Sequence, residues 1–267
     1  MSACCLSVVI PAFNEEKTLA TVVHRVLELA CVVQVVIVND CSTDSTGWVA
    51  DALATGDARV VVLHQPSNQG KTAALVAGFA STTGALVIVQ DADLEYDPAE
   101  IPELISPIVE GVADVVFGSR FLVRKAARVL YFYHYLANKG LTFLSNIVTN
   151  VNMTDVETCY KVFRGPIIRN MIITSAGFGF EIEVAAKVAK LRCRIFEMLI
   201  SYYGRTYEEG KKIGLKDGFA ALWYILYYNA FVRLEASYRQ LPQLEQPVRE
   251  DGVWKDWQPP HAEITLK

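Results

Sequence analysis

The sequence lacks any C-x-x-C pair. Its six cysteines (Cys4, Cys5, Cys31, Cys41, Cys159 and Cys193) are scattered over 267 residues, and the adjacent Cys4 and Cys5 are badly placed to chelate one ion together. This spacing excludes the common cysteine–zinc frameworks and predicts reduced, mostly buried thiols rather than disulfides. A surplus of positive charge is also missing. Lys and Arg total 25 against 29 Asp and Glu, a formal net charge of −4. Sequence-independent binding to nucleic acid runs on excess cations, so no nucleic-acid partner is expected. The N-terminal stretch MSACCLSVVIPAFNEE has no basic start and meets its first acid at Glu15, unlike a secretory signal. No stretch reaches the roughly 18 apolar residues of a membrane span. The nearest, GFAALWYILYYNAFVRL over 218–234, is short and carries Asn229 among its tyrosines. Cytoplasmic residence is expected, with contact at the inner face of the membrane left open. Internal repeats and low-complexity tracts are absent.

What the chain does have is apolar mass. Hydrophobic residues make up 52% and charged residues 20%, ample for one large core. The first 120 residues alternate two kinds of segment. LSVVIPAF (6–13), VQVVIVN (33–39), RVVVLH (59–64), ALVIVQ (85–90) and DVVFGSR (114–120) are short Val/Ile runs, the pattern of strands covered on both faces. Between them, apolar residues recur at helical spacing, with Val22, Val23, Val26 and Leu29 on one face and Asp44 and Pro98 near helix starts. Strands alternating with helices predict an α/β fold with a mostly parallel sheet, whose ligands bind at the carboxyl ends of the strands. In the second half, RVLYFYHYLANKGLTFLSNIV predicts an amphipathic helix broken at Gly140. YKVFR and IFEMLISYYG predict strands, and GFEIEVAAKVAKL and 216–235 predict helices. The polar, Pro-rich tail from Gln240 is expected to be loose. These features predict one main α/β domain over 1–215, a C-terminal helix over 216–239 with membrane association left open, and a tail over 240–267.

Four of the predicted strands deliver chemistry to one edge. They end in Pro11-Ala12-Phe13-Asn14-Glu15-Glu16, Asn39-Asp40-Cys41-Ser42-Thr43-Asp44, Asp91-Ala92-Asp93 and Gly118-Ser119-Arg120. Asp44 by itself fits a helix cap. Asp91 and Asp93, two apart on an extended segment, put both carboxylates on one side. Hard oxygen ligands of this kind suit Mg²⁺ or Mn²⁺ with positions left for phosphate oxygens. Without a cation, one of the two would tend to protonate.

In this order, VVIPAFNEEKTL, VVIVNDCSTDST, NQGKTAALVAGF, VIVQDADLEYDP and FGSRF resemble the family 2 glycosyltransferases of GT-A fold. The resemblance runs to about residue 235 and points to the branch that makes dolichyl- and polyprenyl-phosphate sugars. It implies a GT-A sheet flanked by helices, with C-terminal amphipathic helices. It implies an inverting, metal-dependent transfer of a mannose- or glucose-type hexose from a GDP- or UDP-sugar to a polyprenyl phosphate. Pro11, Ala12, Phe13, Glu15, Asp40, Gly70, Lys71, Asp91 and Ala92 would hold the nucleotide. Asp91 and Asp93, joined by Glu95, would hold Mg²⁺ or Mn²⁺. Arg120, matching the family's G-S-R, and Arg205 would meet phosphate charge. Asp155, Thr158, Lys161 and Arg164 would face the acceptor. Where relatives often read D-x-T-S-G-F-R, this chain reads Asp155-Val156-Glu157-Thr158-Cys159-Tyr160-Lys161. Lys for Arg removes a bidentate phosphate clamp there.

The acceptor separates the rival readings. A hydroxyl must lose a proton to a positioned carboxylate, for which Glu181 is the candidate; Glu181 and Glu183 equally fit a first helical turn. A phosphate monoester needs no base. The aromatic residues Tyr131, Phe132, Tyr133 and Tyr135, with Arg124, Lys125 and Arg128, suit either a core helix or a bilayer interface. A second copy of the chain is admitted as a partner. From another functional class, a non-catalytic nucleotide-sugar-binding protein would use the same edge. A nucleotidyltransferase is disfavoured because the first strand lacks a Gly-rich loop.

Overall fold

The apolar runs fold as strands because Val and Ile, branched at Cβ, pack well on a pleated surface covered on both sides. In a computed structural model, which describes residues 5–122, 128, 131–204, 215–244, 249–250 and 253–254, each run becomes a strand. They are β1 (Leu6–Ala12), β2 (Val32–Asn39), β3 (Val60–His64), β4 (Leu86–Val89) and β5 (Val115–Ser119). Helices α1 (Leu19–Leu27), α2 (Thr46–Gly56), α3 (Lys71–Ala80) and α4 (Ile101–Val109) lie between them. The second half adds α5 (Phe132–Thr149), β6 (Lys161–Arg164), α6 (Gly165–Asn170), α7 (Phe180–Leu191), β7 (Ile195–Leu199) and α8 (Leu215–Ala230). A small antiparallel pairing joins Arg249–Glu250 to Val253–Trp254.

The strand order is β3-β2-β1-β4-β6-β5-β7. The pairings β1–β2, β1–β4, β2–β3 and β5–β7 are parallel, while β6 runs antiparallel to both β4 and β5. This reversal positions the site. The chain leaves β5 at the carboxyl edge, forms α5, and enters β6 from that same edge, so residues 155–160 lie beside the ends of β4 and β5. Lys161 pairs with Phe117 near the carboxyl end, whereas Arg164 pairs with Leu86 at the opposite end.

The core is laid on both faces of the sheet. Helix α1 buries Leu19, Val22, Val23 and Val26, and Leu29 packs just past its end. Each such side chain, fully buried, contributes about 1.5–3 kcal/mol. Helix starts follow local chemistry. The Asp44 carboxylate accepts the Thr46 N–H (3.0 Å) and hydroxyl (2.5 Å) where α2 begins. Asp97 accepts the Ala99 N–H in the 3-10 turn Pro98–Glu100 that leads into α4.

Three features differ from the sequence expectation. Helix α5 runs through Gly140 without a break, since a lone helical Gly costs only about 1 kcal/mol and no Pro is present. Helix α6 is additional; its six residues are too few to show a period. Helix α8 ends at Ala230, short of the expected C-terminal helix, and the chain then packs without helix up to Arg239, whose N–H reaches the Asn170 carbonyl, while the Tyr238 hydroxyl reaches that of Lys187.

Helix α5 also inverts the usual pattern. Its fully buried residues are Thr142 and Ser145, while Phe132, Tyr133, Leu136, Phe143 and Ile147 are exposed, Tyr133 to 80%. Helix α8 packs beside α5 and exposes Phe219 (73%) and Trp223. Among the described residues, no helix is long and apolar enough to cross a membrane.

Candidate active site

Two loops at the carboxyl edge are stitched to each other. Asn14 and Cys41 adopt left-handed backbone, each with φ of 56°, which turns the chain sharply out of β1 and β2. The Asn14 side chain accepts the Thr43 N–H (2.8 Å), its own N–H reaches Ser42 Oγ, and the Glu15 N–H reaches Thr46 Oγ1 (2.8 Å). Pro11 and Ala12 pair with Val38 and Asn39 beneath them, and Phe13 begins the loop. The predicted nucleotide-contacting residues of these strands therefore stand together.

Asp40 faces inward. It is 3% exposed, and its two carboxylate oxygens accept the N–H groups of Gln69 and Gly70, each at 2.8 Å. Gly70 has φ of 86° and ψ of 167°, a conformation open essentially only to glycine. Asp40 thus fixes the turn from which Lys71 projects at the start of α3.

Lys71 bridges two acids. Its Nζ lies 3.0 Å from Asp91 Oδ1 and 3.1 Å from Glu181 Oε1. Burial opposes its charge, but Asp91, the Cys159 thiol and Glu181 outweigh that and raise its pKa well above the usual lysine value. Burial, with the charge of Asp91, pushes the Cys159 thiol well above its usual pKa. Glu181, in the first turn of α7, is 4% exposed. Glu183, two residues on, binds the N–H groups of Thr174 and Ser175 and pairs with Lys187, so it braces α7 rather than facing the site.

Asp93 is buried and accepts the Glu95 N–H (3.1 Å). Glu95 Oε2 accepts the Tyr202 hydroxyl at 3.0 Å. Among the described residues, no three His, Cys, Asp or Glu side chains converge as a ready metal cage. The carboxylates of Asp91 and Asp93, with Glu95 two positions on, are hard oxygen ligands that match Mg²⁺ or Mn²⁺ held jointly with substrate phosphates and water, so the residues present fit such an ion.

Arg120 is committed within the protein. Its Nε and Nη2 meet Asp155 Oδ2 (2.6 Å) and Oδ1 (2.7 Å), and its guanidinium lies 5.1 Å from the Tyr202 ring centre. The charges of Asp155 and Arg120 thereby balance each other within the protein. Lys161, wholly buried, donates to the carbonyls of Val156 and Thr158, and burial lowers its pKa. It braces the 156–158 loop. Arg164 sits at the far edge of the sheet, bound to Asp114 with Arg194, because antiparallel β6 carries it about 10 Å from Lys161. Arg205, Arg124 and Lys125 lie outside the described residues.

Sequence reasoning passed over Glu157. Burial, reinforced by the Glu181 charge and opposed by Lys161 and Arg120, pushes its carboxyl up to about 7. Gln90, Tyr96 and Tyr160 form a buried support: Tyr160 donates to Gln90 Oε1 (2.6 Å), and Gln90 Nε2 donates to the Asp91 carbonyl. The sign for Glu157 follows from linkage. An unfolded Glu titrates near 4.3 and the folded one near 7, so the folded state keeps its proton longer and loses stability as pH rises between them. Glu157→Gln is expected to be more stable than the parent by about 1–3 kcal/mol at pH 8 and equal at pH 4, read from urea midpoints.

Residues 7–171 match the family described as Glycosyl transferase family 2. The chain is 30% identical over 212 residues to an undecaprenyl-phosphate mannosyltransferase of Micrococcus luteus, covering 77% of this chain and 86% of that one. It is 29% identical over 214 residues to a polyprenol monophosphomannose synthase of Mycolicibacterium smegmatis, covering 78% and 80%. Glucosyl-3-phosphoglycerate synthase of Mycobacterium tuberculosis, solved with Mn²⁺, uridine diphosphate and phosphoglyceric acid, has the same fold, with a TM-score of 0.66 at 19% identity over 85% of this chain and 78% of that one. The same enzyme has also been solved with Mg²⁺ and uridine diphosphate. A mostly parallel sheet that gathers Asp40, Lys71, Asp91 and Asp93 on its carboxyl edge, matched by the family over more than half its length, shows that the chain belongs to glycosyl transferase family 2 and is a glycosyltransferase.

Proposed function

We propose that this transferase moves a mannose- or glucose-type hexose from a GDP- or UDP-sugar to a polyprenyl or dolichyl phosphate, with inversion and with Mg²⁺ or Mn²⁺, at the cytoplasmic face of a membrane. The observation that carries the reading is the Asp91–Lys71–Glu181 cluster beside an exposed aromatic face. The Phe121 ring, next to Arg120, stands edge-on to Tyr135 of α5 at 5.3 Å, and Lys139 of α5 donates to the Thr154 carbonyl. The N-terminal half of α5 therefore borders the site, and its exposed apolar chains, with those of α8, suit a bilayer interface that carries a lipid acceptor. The names of the Micrococcus and Mycolicibacterium relatives support the same acceptor class.

In the reaction, an acceptor phosphate oxygen forms a bond to the anomeric carbon from the face opposite the leaving group. The bond from that carbon to the diphosphate oxygen breaks, and its electron pair departs with the nucleoside diphosphate. Asp91 and Asp93 would hold the metal ion, which when bound supplies positive charge to the leaving diphosphate. Lys71 adds a cation beside it. Asp40 and Gly70 keep Lys71 in place. A phosphate acceptor is already anionic at pH 7, so no general base is required, in keeping with a Glu181 already engaged by Lys71.

The test is transfer from GDP-mannose and UDP-glucose to polyprenyl phosphate in vesicles, with Mn²⁺ or with chelator. Metal-dependent formation of the lipid-linked sugar is expected. Glu181→Gln is expected to keep kcat within about tenfold of the parent, whereas loss of a general base costs about 10²–10⁴-fold. A loss of that size would replace the phosphate acceptor by a hydroxyl.

A further inference from the structure

We propose that Glu157, Thr158 and Glu181 form the subsite for the donor's sugar ring, and that Glu157 sets which sugar is accepted. This deepens the reading above and rests on it. Three enclosed oxygens here have no hydrogen-bond partner among the described residues: Glu157 Oε1, Thr158 Oγ1 and Glu181 Oε2. The fourth such atom, Ser175 Oγ, lies in the loop before α7. Buried polar atoms are nearly always partnered in native proteins, so three orphans in one corner call for a ligand or water that meets them. The three belong to one corner. Glu181 is tied through Lys71 to Asp91, its charge also acts on Glu157, and Thr158 lies between Glu157 and Cys159 in the chain, with the Cys159 thiol within reach of the charges of Asp91, Lys71 and Glu181.

The chemistry selects the ligand. Two of the three atoms are carboxyl oxygens and the third is a hydroxyl oxygen, and the cations nearby are engaged: Lys71 with Asp91 and Glu181, Arg120 with Asp155, and Lys161 with backbone carbonyls. A phosphate in this corner would face two carboxyl groups with those cations already paired. A sugar ring brings several O–H donors, or an amine, and fits. Position agrees as well. The anomeric carbon is bonded to the diphosphate, which the proposed function puts at Asp91 and Asp93, so the ring must lie close beside them. Thr158 and Glu181 are buried, but Glu157 is partly exposed. Glu157 therefore borders the way in, while its enclosed Oε1 is placed to meet a hydroxyl or amine of the ring. The acceptor phosphate is left the other side of the site, toward Phe121 and α5.

The experiment is calorimetric binding, with Mn²⁺, of UDP and UDP-glucose and of GDP and GDP-mannose. It compares the parent with Glu157→Gln and Thr158→Val, both near-isosteric. For the nucleotide whose sugar the parent holds, each variant is expected to weaken the nucleotide sugar by about fivefold to tenfold, as loss of one hydrogen bond predicts. The bare diphosphate is expected to stay within about threefold, since it makes no contact with the corner. Equal weakening of diphosphate and nucleotide sugar would overturn the subsite, because the corner would then hold phosphate. No weakening of either would also overturn it, leaving only buried water. If the parent binds none of the four ligands, the proposed function itself falls and takes the subsite with it. That outcome is distinct from a parent that binds and variants that behave like it.

Discussion

Asp91→Asn or Asp93→Asn is expected to lower metal-dependent transfer by about 10³-fold or more, with the fold intact. Each substitution keeps the size of the side chain and removes one negative charge from a pair that the proposed metal needs. The diphosphate then departs without its counter-charge, and the loss falls on kcat rather than on the nucleotide's apolar contacts. Lys71 retains Glu181 when position 91 is neutral, and the amide introduced by Asp93→Asn keeps an oxygen for the Glu95 N–H, so neither variant should unfold. Initial rates with saturating Mn²⁺, beside thermal melts, are the check. Rates within about tenfold of the parent, in a folded protein, would remove the metal from the reaction.

The largest effect on stability is expected at Arg120. Asp155 is fully buried, and Arg120 meets it with two side-chain N–H groups and its backbone N–H. Arg120→Met would leave a buried carboxylate without its paired cation, which costs about 3–5 kcal/mol. The double variant Arg120→Met, Asp155→Leu removes both charges and is expected to recover most of that loss, since a buried ion pair often contributes little over apolar side chains of similar size. Urea denaturation of the two single variants and the double variant gives the coupling directly. Additive losses would mean that the two charges do not depend on each other. Loss of the guanidinium also frees the Tyr202 ring and its contact to Glu95, so the single variant should bind metal less well than its stability alone implies.

Much of the fold was legible because its signals are local. Five Val/Ile runs separated by helical periods require strands and crossovers, and parallel strands buried on both faces leave no alternation to confuse them. The edge that carries Asn14, Asp40, Asp91 and Arg120 was legible for the same reason, since every parallel strand ends on one side. Partner choice was not legible. Arg120 and Lys161 look alike in a sequence as spare cations, yet one closes on Asp155 and the other on backbone carbonyls. Arg164 looked like a neighbour of Lys161, and a strand of opposite direction separates them along its length. Glu157 carried no local signal, because its pKa depends on burial and on Glu181, 24 positions away in the chain.

By itself, then, the sequence determined the α/β class, which strands feed one edge, and the acids Asp91 and Asp93 placed there. Periodicity and strand termini are properties of neighbours in the chain. Only the tertiary structure decided which charges remain for substrate, because burial and pairing join residues far apart. It tied Lys71 to Asp91 and Glu181, paired Arg120 with Asp155, Lys161 with backbone carbonyls and Arg164 with Asp114, turned the aromatic side of α5 outward, and left Glu157 Oε1, Thr158 Oγ1 and Glu181 Oε2 without partners among the described residues.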